Sequence, residues 1–185
     1  MLLYFIRHGQ TDWNKDMRMQ GQSDIPLNEN GRKSAIEAGK TLANTHIDLA
    51  FSSPLKRAKE TAELVLAGRD IPIIEDKRIE EICFGICEGM RGRDENGQPV
   101  GCFAEFFAHP EQYKAPENGE DAKMLCARTW NFLEDITTRE ELQDKSILIA
   151  THGAALQSMM LWVNKQPICD FWKSGLKKNC SVTKV

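Results

Sequence analysis

The sequence predicts an α/β fold: a three-layer α/β/α sandwich with a mostly parallel central sheet, helices on both faces and a lid-like insertion. Three observations predict it. The apolar runs Leu2-Leu3-Tyr4-Phe5-Ile6, Ile47-Asp48-Leu49-Ala50-Phe51 and Ile147-Leu148-Ile149-Ala150 have the length of buried strands. Stretches with helical spacing and helix start or stop signals lie between them, the alternation expected of parallel strands joined by helical crossovers. Finally, the first and last runs end alike, in Arg7-His8-Gly9 and Thr151-His152-Gly153. Strand exits of this kind are where open α/β sheets bind ligands.

Taken in order, a strand is predicted over 2–7. A helix follows at about 28–44, with Asn28 as its cap and Gly31 early in it. A strand at 47–52 leads into a helix at about 54–67. Pro54 suits that helix's first turn, either Ser52 or Ser53 is placed to cap it, and Gly68 is placed to end it. A strand is expected at 71–75, then irregular chain from about 79. A long helix (119–139), a strand (146–151), a helix (153–164), a short helix (167–173) and a final strand (180–185) complete the chain. Residues 90–121 break the alternation. They are rich in glycine and proline, carry Phe103, Phe106, Phe107 and Tyr113, and predict a short helix near 103–109. Two readings fit them: a lid that shapes a pocket, or a surface segment pinned by its own small core.

With 185 residues, the chain is expected to form one domain, 1–185, with 90–121 inserted in it. A composition of 41% hydrophobic and 28% charged residues is that of a soluble globular protein. No apolar stretch is long enough for a bilayer and no secretory signal is apparent, so a cytoplasmic location and no membrane partner are expected. The net charge of -3, without a basic stripe, argues against nucleic acid. Any anion site is therefore a local concentration of cations. The six cysteines, Cys83, Cys87, Cys102, Cys126, Cys169 and Cys180, show no paired Cys-x-x-Cys spacing. They read as reduced thiols, with neither a metal site nor disulfides.

A single histidine at a strand end is usually structural. Two of the 4 histidines at equivalent exits, with cations around them, point to anion chemistry instead. Arg7 supplies fixed charge, His8 a nucleophile or base, and Gly9 unobstructed backbone. Ser52-Ser53-Pro54-Leu55 introduces a helix bearing Arg57, with Thr61 one turn later.

These elements resemble the histidine phosphatase superfamily, or phosphoglycerate mutase-like family, in its phosphatase branch. The resemblance runs through Arg7-His8-Gly9-Gln10-Thr11, Trp13-Asn14 and Gln20-Gly21, then Ser52 to Ala58 with Thr61-Ala62. It continues through Glu81-Ile82-Cys83-Phe84-Gly85 with Glu88-Gly89, and ends at Thr151-His152-Gly153. Two positions depart from the family pattern. Cys87 stands where tryptophan is common, and Gly119-Glu120-Asp121 where Gly-Glu-Ser is common. Chains of the family often continue past the point where this one stops, Val185, which raises a truncated chain as an alternative.

The resemblance implies a phosphomonoesterase acting on a small-molecule phosphate ester without a cofactor or metal. His8 is then the nucleophile, attacking phosphorus as neutral imidazole, with the Gly9 carbonyl the candidate holder of its other ring nitrogen. Arg7 and Arg57 offer planar forks to phosphate oxygens. His152 is expected as an imidazolium donor, Asn14 as a neutral one, and Gln20, Gly21 and Gly153 as further phosphate contacts. The helix after Gly153 is expected to aim free backbone N–H groups at the anion. Glu81, four before Gly85, is the general acid, and its neighbour Glu80 a solvated bystander. Candidate substrates by resemblance are α-ribazole phosphate, sugar phosphates and phosphoglycerates. Two alternatives remain. A phosphoglycerate mutase would use the same intermediate, although the span from Glu81 to His152 is short for the insertion mutases carry. A non-catalytic phosphate-binding module would be expected to lack His8 or Glu81.

Overall fold

The computed structural model describes residues 1–185. A five-stranded sheet has the order β3-β2-β4-β1-β5. Its strands are β1 (Leu2–Arg7), β2 (Leu49–Ser52), β3 (Ile73–Glu75), β4 (Ser146–Thr151) and β5 (Val182–Lys184). All neighbours are parallel except β5, which runs antiparallel to β1 at the edge. The period of two along each strand divides the core. Tyr4, Ile6, Leu148 and Ala150 face α2 (Glu29–Thr41) and α3 (Lys56–Val65). Leu3, Phe5, Ile147 and Ile149 face the larger core, which includes α5 (Ala122–Thr138) and α6 (Gly153–Asn164). The expected three layers are thus present.

The register decides where the site forms. Arg7 pairs with Thr151 across β1 and β4. The next residue on each strand is a histidine, so His8 and His152 leave the sheet side by side, their ring centroids 5.2 Å apart.

Several local expectations need correction. A one-turn helix, α1 (Asp12–Lys15), follows the nucleophile turn, and its signal is Thr11 three before Asn14: each side chain bonds the other's backbone in a reciprocal cap. Helix α2 stops at Thr41, short of 44. Neither Ser52 nor Ser53 caps α3, which starts later, at Lys56. Asp24 accepts from the Lys56 amide at 2.7 Å instead, while Ser53 Oγ lies 2.7 Å from His152 Nε2 and accepts from Leu55 N at 3.3 Å, one residue before the helix. The short helix expected over 167–173 is a 3-10 turn at Ile168–Asp170.

The 90–121 segment holds α4 (Phe103–Ala108). Phe103, Phe106 and Tyr113 are buried in the larger core, and Phe84 meets Phe103 and Phe106 edge-on at 5.2 and 5.4 Å. Most of these aromatics therefore pack the segment onto the rest of the chain. All six cysteines are free, and no helix is long and apolar enough to cross a membrane.

Candidate active site

A cleft of about 320 Å³ opens at the carboxyl ends of β1 and β4. Of the residues assigned to the site from sequence, Arg7, His8, Asn14, Gln20, Gly21, Arg57, Glu81 and Gly153 line it, whereas His152 does not.

His8 is held at every polar point except one. Its Nδ1 is 2.7 Å from the Gly9 carbonyl oxygen. A carbonyl only accepts, so Nδ1 carries the proton and Nε2 keeps a lone pair that makes no bond within the protein. The His8 carbonyl accepts from Asn179 Nδ2 at 2.8 Å, and Gly9 N donates to Thr61 Oγ1 at 2.9 Å. Burial, then the Arg57 and Arg7 charges, push the His8 pKa well below its ordinary value, so the ring is neutral. The turn itself depends on two glycines. A Cβ on Gly9 would meet Gly31 O at 2.7 Å, and one on Gly31 would collide with Gln10 O. The amino end of α2 can lie against the nucleophile turn only because both are absent.

Arg57 is buried and Arg7 partly so, and parts of their forks are already committed. Arg57 donates from Nη1 to Ser23 O at 2.8 Å and from Nη2 to Gly21 O at 2.6 Å, leaving Nε unpartnered. Burial lowers its pKa to about 10, so it stays charged at neutral pH. Arg7 donates from Nη1 to Lys177 O at 2.5 Å, and its Nε is likewise unpartnered. Asn14 Oδ1 accepts from Thr11 N and Oγ1, so its amide nitrogen is the available donor. Gln20 is buried with Oε1 unpartnered.

Three expectations about charge and donors are revised. His152 is not held as an imidazolium: burial, then Arg57 and His8, push its pKa well below the ordinary value. Its ring lies behind His8 with Nδ1 unpartnered. Two of the first three α6 amides are not free either. Ala154 N and Ala155 N donate to the Glu81 carboxyl oxygens at 3.0–3.2 Å. Glu80 is half-buried rather than solvated, and burial raises its pKa.

Sequence reading missed much of the rest. Glu88 accepts from Gln22 N, Ser23 N and Phe84 N at 2.8–3.1 Å, tying the loop that holds Arg57 to the loop that carries Glu81. The cleft's outer wall includes Met19, Arg93, Phe107, Trp172 and Leu176, which come from segments far apart in sequence. No group of three or more His, Cys, Asp or Glu side chains is arranged to hold a metal ion.

A neutral, tautomer-fixed histidine sharing a cleft with two guanidiniums and a carboxyl group defines an α/β protein suited to phosphoryl chemistry. Residues 3–185 match the model of the histidine phosphatase superfamily (branch 1), and the chain belongs to that family. Its relatives include both phosphatases and mutases. A 2,3-bisphosphoglycerate-dependent phosphoglycerate mutase of Cytophaga hutchinsonii is 32% identical over 89% of this chain and 78% of its own. An uncharacterized phosphatase, PhoE of Bacillus subtilis, is 32% identical over 84% of this chain and 73% of its own. The solved structure of Bacillus stearothermophilus YhfR is 35% identical, with a TM-score of 0.86 over 99% of this chain and 89% of that one.

Proposed function

We propose that this protein hydrolyses small-molecule phosphate monoesters through a phosphohistidine on His8, with Glu81 as the general acid. The observation that carries this reading is the His8 ring: neutral, with Nδ1–H on Gly9 O and Nε2 left to the cleft. Nε2 attacks phosphorus as the ester oxygen leaves. Glu81 protonates that oxygen, then as carboxylate takes a proton from the water that attacks the phosphohistidine. Arg7 and Arg57 stabilise the transferring oxygens through their remaining N–H groups, with Asn14 as a neutral donor. As a dianion binds, its charge favours a proton on His152. Gln20, Gly21 and Gly153 complete the phosphate pocket.

The test is phosphate release from p-nitrophenyl phosphate by the purified chain, run beside 3-phosphoglycerate interconversion. Release that survives EDTA, is inhibited by vanadate and is lost in His8→Ala supports the reading. Efficient interconversion with little release would favour the mutase reading that the Cytophaga relative raises. No release from any phosphomonoester would leave only a binding module.

A further inference from the structure

All five N–H donors of Arg128 are used, and three of the bonds end on carbonyls of the chain leading into Glu81. Nη1 donates to Arg78 O at 2.9 Å and Glu80 O at 2.8 Å, and Nη2 to Glu81 O at 2.8 Å. The other two run side by side to the Glu120 carboxylate, Nε to Oε1 and Nη2 to Oε2, both at 2.8 Å. Glu120 also grips the chain beyond the acid: its Oε2 accepts from Cys83 N at 2.9 Å, and its own amide donates to Cys83 O at 2.8 Å. The pair thus brackets Glu81 from residue 78 to residue 83. It is largely removed from solvent, with side chains 18% and 16% exposed.

That stretch needs such a frame. Its residues 80–83 lie between 3-10 turns at Lys77–Ile79 and Gly85–Cys87 and belong to no helix or strand, so no regular pairing fixes their carbonyls. Ile79 and Ile82 bury their side chains, Thr151 Oγ1 donates to Ile79 O at 2.8 Å and Gln22 Nε2 reaches Glu81 O at 3.2 Å, but only the Arg128–Glu120 pair grips the chain on both sides of Glu81. The Glu81 carboxylate, meanwhile, must meet both the α6 amides and the leaving oxygen. Arg128 stands on α5, which packs against α6, so the clamp refers the acid's backbone to the helix its carboxylate touches.

We propose that Arg128, oriented by Glu120, is a positioning residue for the general acid. It sets where the Glu81 carboxyl stands relative to the departing oxygen and touches no substrate itself. The inference rests on Glu81 being the acid. The competing role is purely structural, with the guanidinium satisfying carbonyls that would otherwise be orphaned.

The two roles differ in how they depend on the leaving group. Phenyl and p-nitrophenyl phosphate have similar shapes, but phenolate needs protonation far more. kcat/KM reports steps up to its departure. In Arg128→Lys, kcat/KM for phenyl phosphate is expected to fall about 10–10²-fold, the range of a misplaced catalytic group. The fall for p-nitrophenyl phosphate should be about threefold or less, with inhibition by inorganic phosphate unchanged. Glu120→Gln keeps the shape and weakens the clamp, so it should move the ratio the same way by less. If Arg128→Lys does not fold, Glu120→Gln decides alone. Equal losses on both substrates, or an unchanged ratio, would overturn the proposal. Glu81→Gln separates this from failure of the underlying reading. If that variant also leaves the ratio unchanged, Glu81 is not the acid. If it shifts the ratio while the clamp variants do not, only the positioning role is lost.

Discussion

The centre of the cleft floor is made of residues at strand and helix ends, whereas its mouth is assembled from side chains of loops and of the short helix α4 that are distant in sequence. On the floor, His8 follows β1 and Arg57 lies in the first turn of α3, and His152, which follows β4, lies behind His8. Backbone bonds hold each of the three elements, and the β1–β4 register fixes the histidines against one another. At the mouth, the Arg93 guanidinium stacks 4.5 Å over Phe107, and Trp172 Nε1 donates to Phe106 O at 2.8 Å. The segment ending at Leu176 is anchored through Gln157, whose amide donates to Gly175 O. The floor can thus keep one reaction while the mouth changes with loop sequence, as with loops on a rigid scaffold generally.

The sharpest way to break this division is to remove the nucleophile. His8→Asn keeps a polar side chain but no ring nitrogen for attack. Turnover is expected to fall on the order of 10⁴-fold or more on every substrate, whatever its leaving group. Rapid quench of the wild type with labelled substrate should trap an acid-labile, base-stable phosphoramidate on His8. Label on a cysteine or serine would move the chemistry off the floor as drawn.

Glu81→Gln is the next largest effect. Turnover of alkyl phosphates should drop roughly 10²–10⁴-fold, and substrates with good leaving groups should lose less. Glu80→Gln should stay near wild type in activity. Glu80 is half-buried, so its substitution is read beside a melting curve. Equal losses in the two variants would mean the acid is misassigned.

The same division explains what was legible in sequence. Arg7-His8-Gly9 and Thr151-His152-Gly153 were readable because β-strand geometry makes the residue after a strand predictable in space. The first long helix was readable from Asn28, which is its observed cap, whereas Asp121, the cap of α5, was not read as one, and the helix predicted from 119 starts at Ala122. Arg128 carried no local signal: it is one arginine among the polar residues of an amphipathic helix, and its partners lie 8 to 50 residues away. Glu88 was visible only as part of a motif, because its role is to join two loops. The state of His152 escaped for a different reason. Charge in a site depends on summed burial and neighbours, and sequence shows neither.

That charge state gives a pH prediction of intermediate size. His8 and His152 are buried with pKa values pushed well below the ordinary 6.5. As pH falls below 6.5, the unfolded chain takes up protons that the folded one refuses. Stability is therefore full above the unfolded pKa and is lost as pH falls through the window down to the folded values. Each histidine should cost about 1.4 kcal/mol per pH unit once its unfolded form is protonated. Urea unfolding at pH 7.5, 6.0 and 5.0 should show a shallower decline in His152→Asn than in the wild type. Saturating phosphate should flatten it further, since a bound dianion restores proton affinity. Parallel slopes in all three samples would mean these rings titrate normally.

The smallest effects belong to the aromatics that join floor to mouth. Phe103 and Tyr113 lie in the core away from the cleft, whereas Phe106 and Phe107 line it, and Phe107 is only partly buried. Phe103→Ala should cost about 3–5 kcal/mol in stability, the usual range for a buried phenylalanine, and leave selectivity unchanged. Phe107→Ala removes the surface under Arg93 and part of the outer wall, but little of the core. It should keep the melting temperature near wild type. The ratio of kcat/KM between an aryl and a small polar phosphate should shift by about tenfold or less, the scale of a few methylene contacts. Trp172→Ala should act in the same direction, with a larger stability loss because its ring also packs at 4.9 Å on Phe171. If Phe103→Ala and Phe107→Ala both destabilise with constant ratios, the insertion is packing throughout. Selectivity would then be sought at Met19 and Leu176 on the same wall.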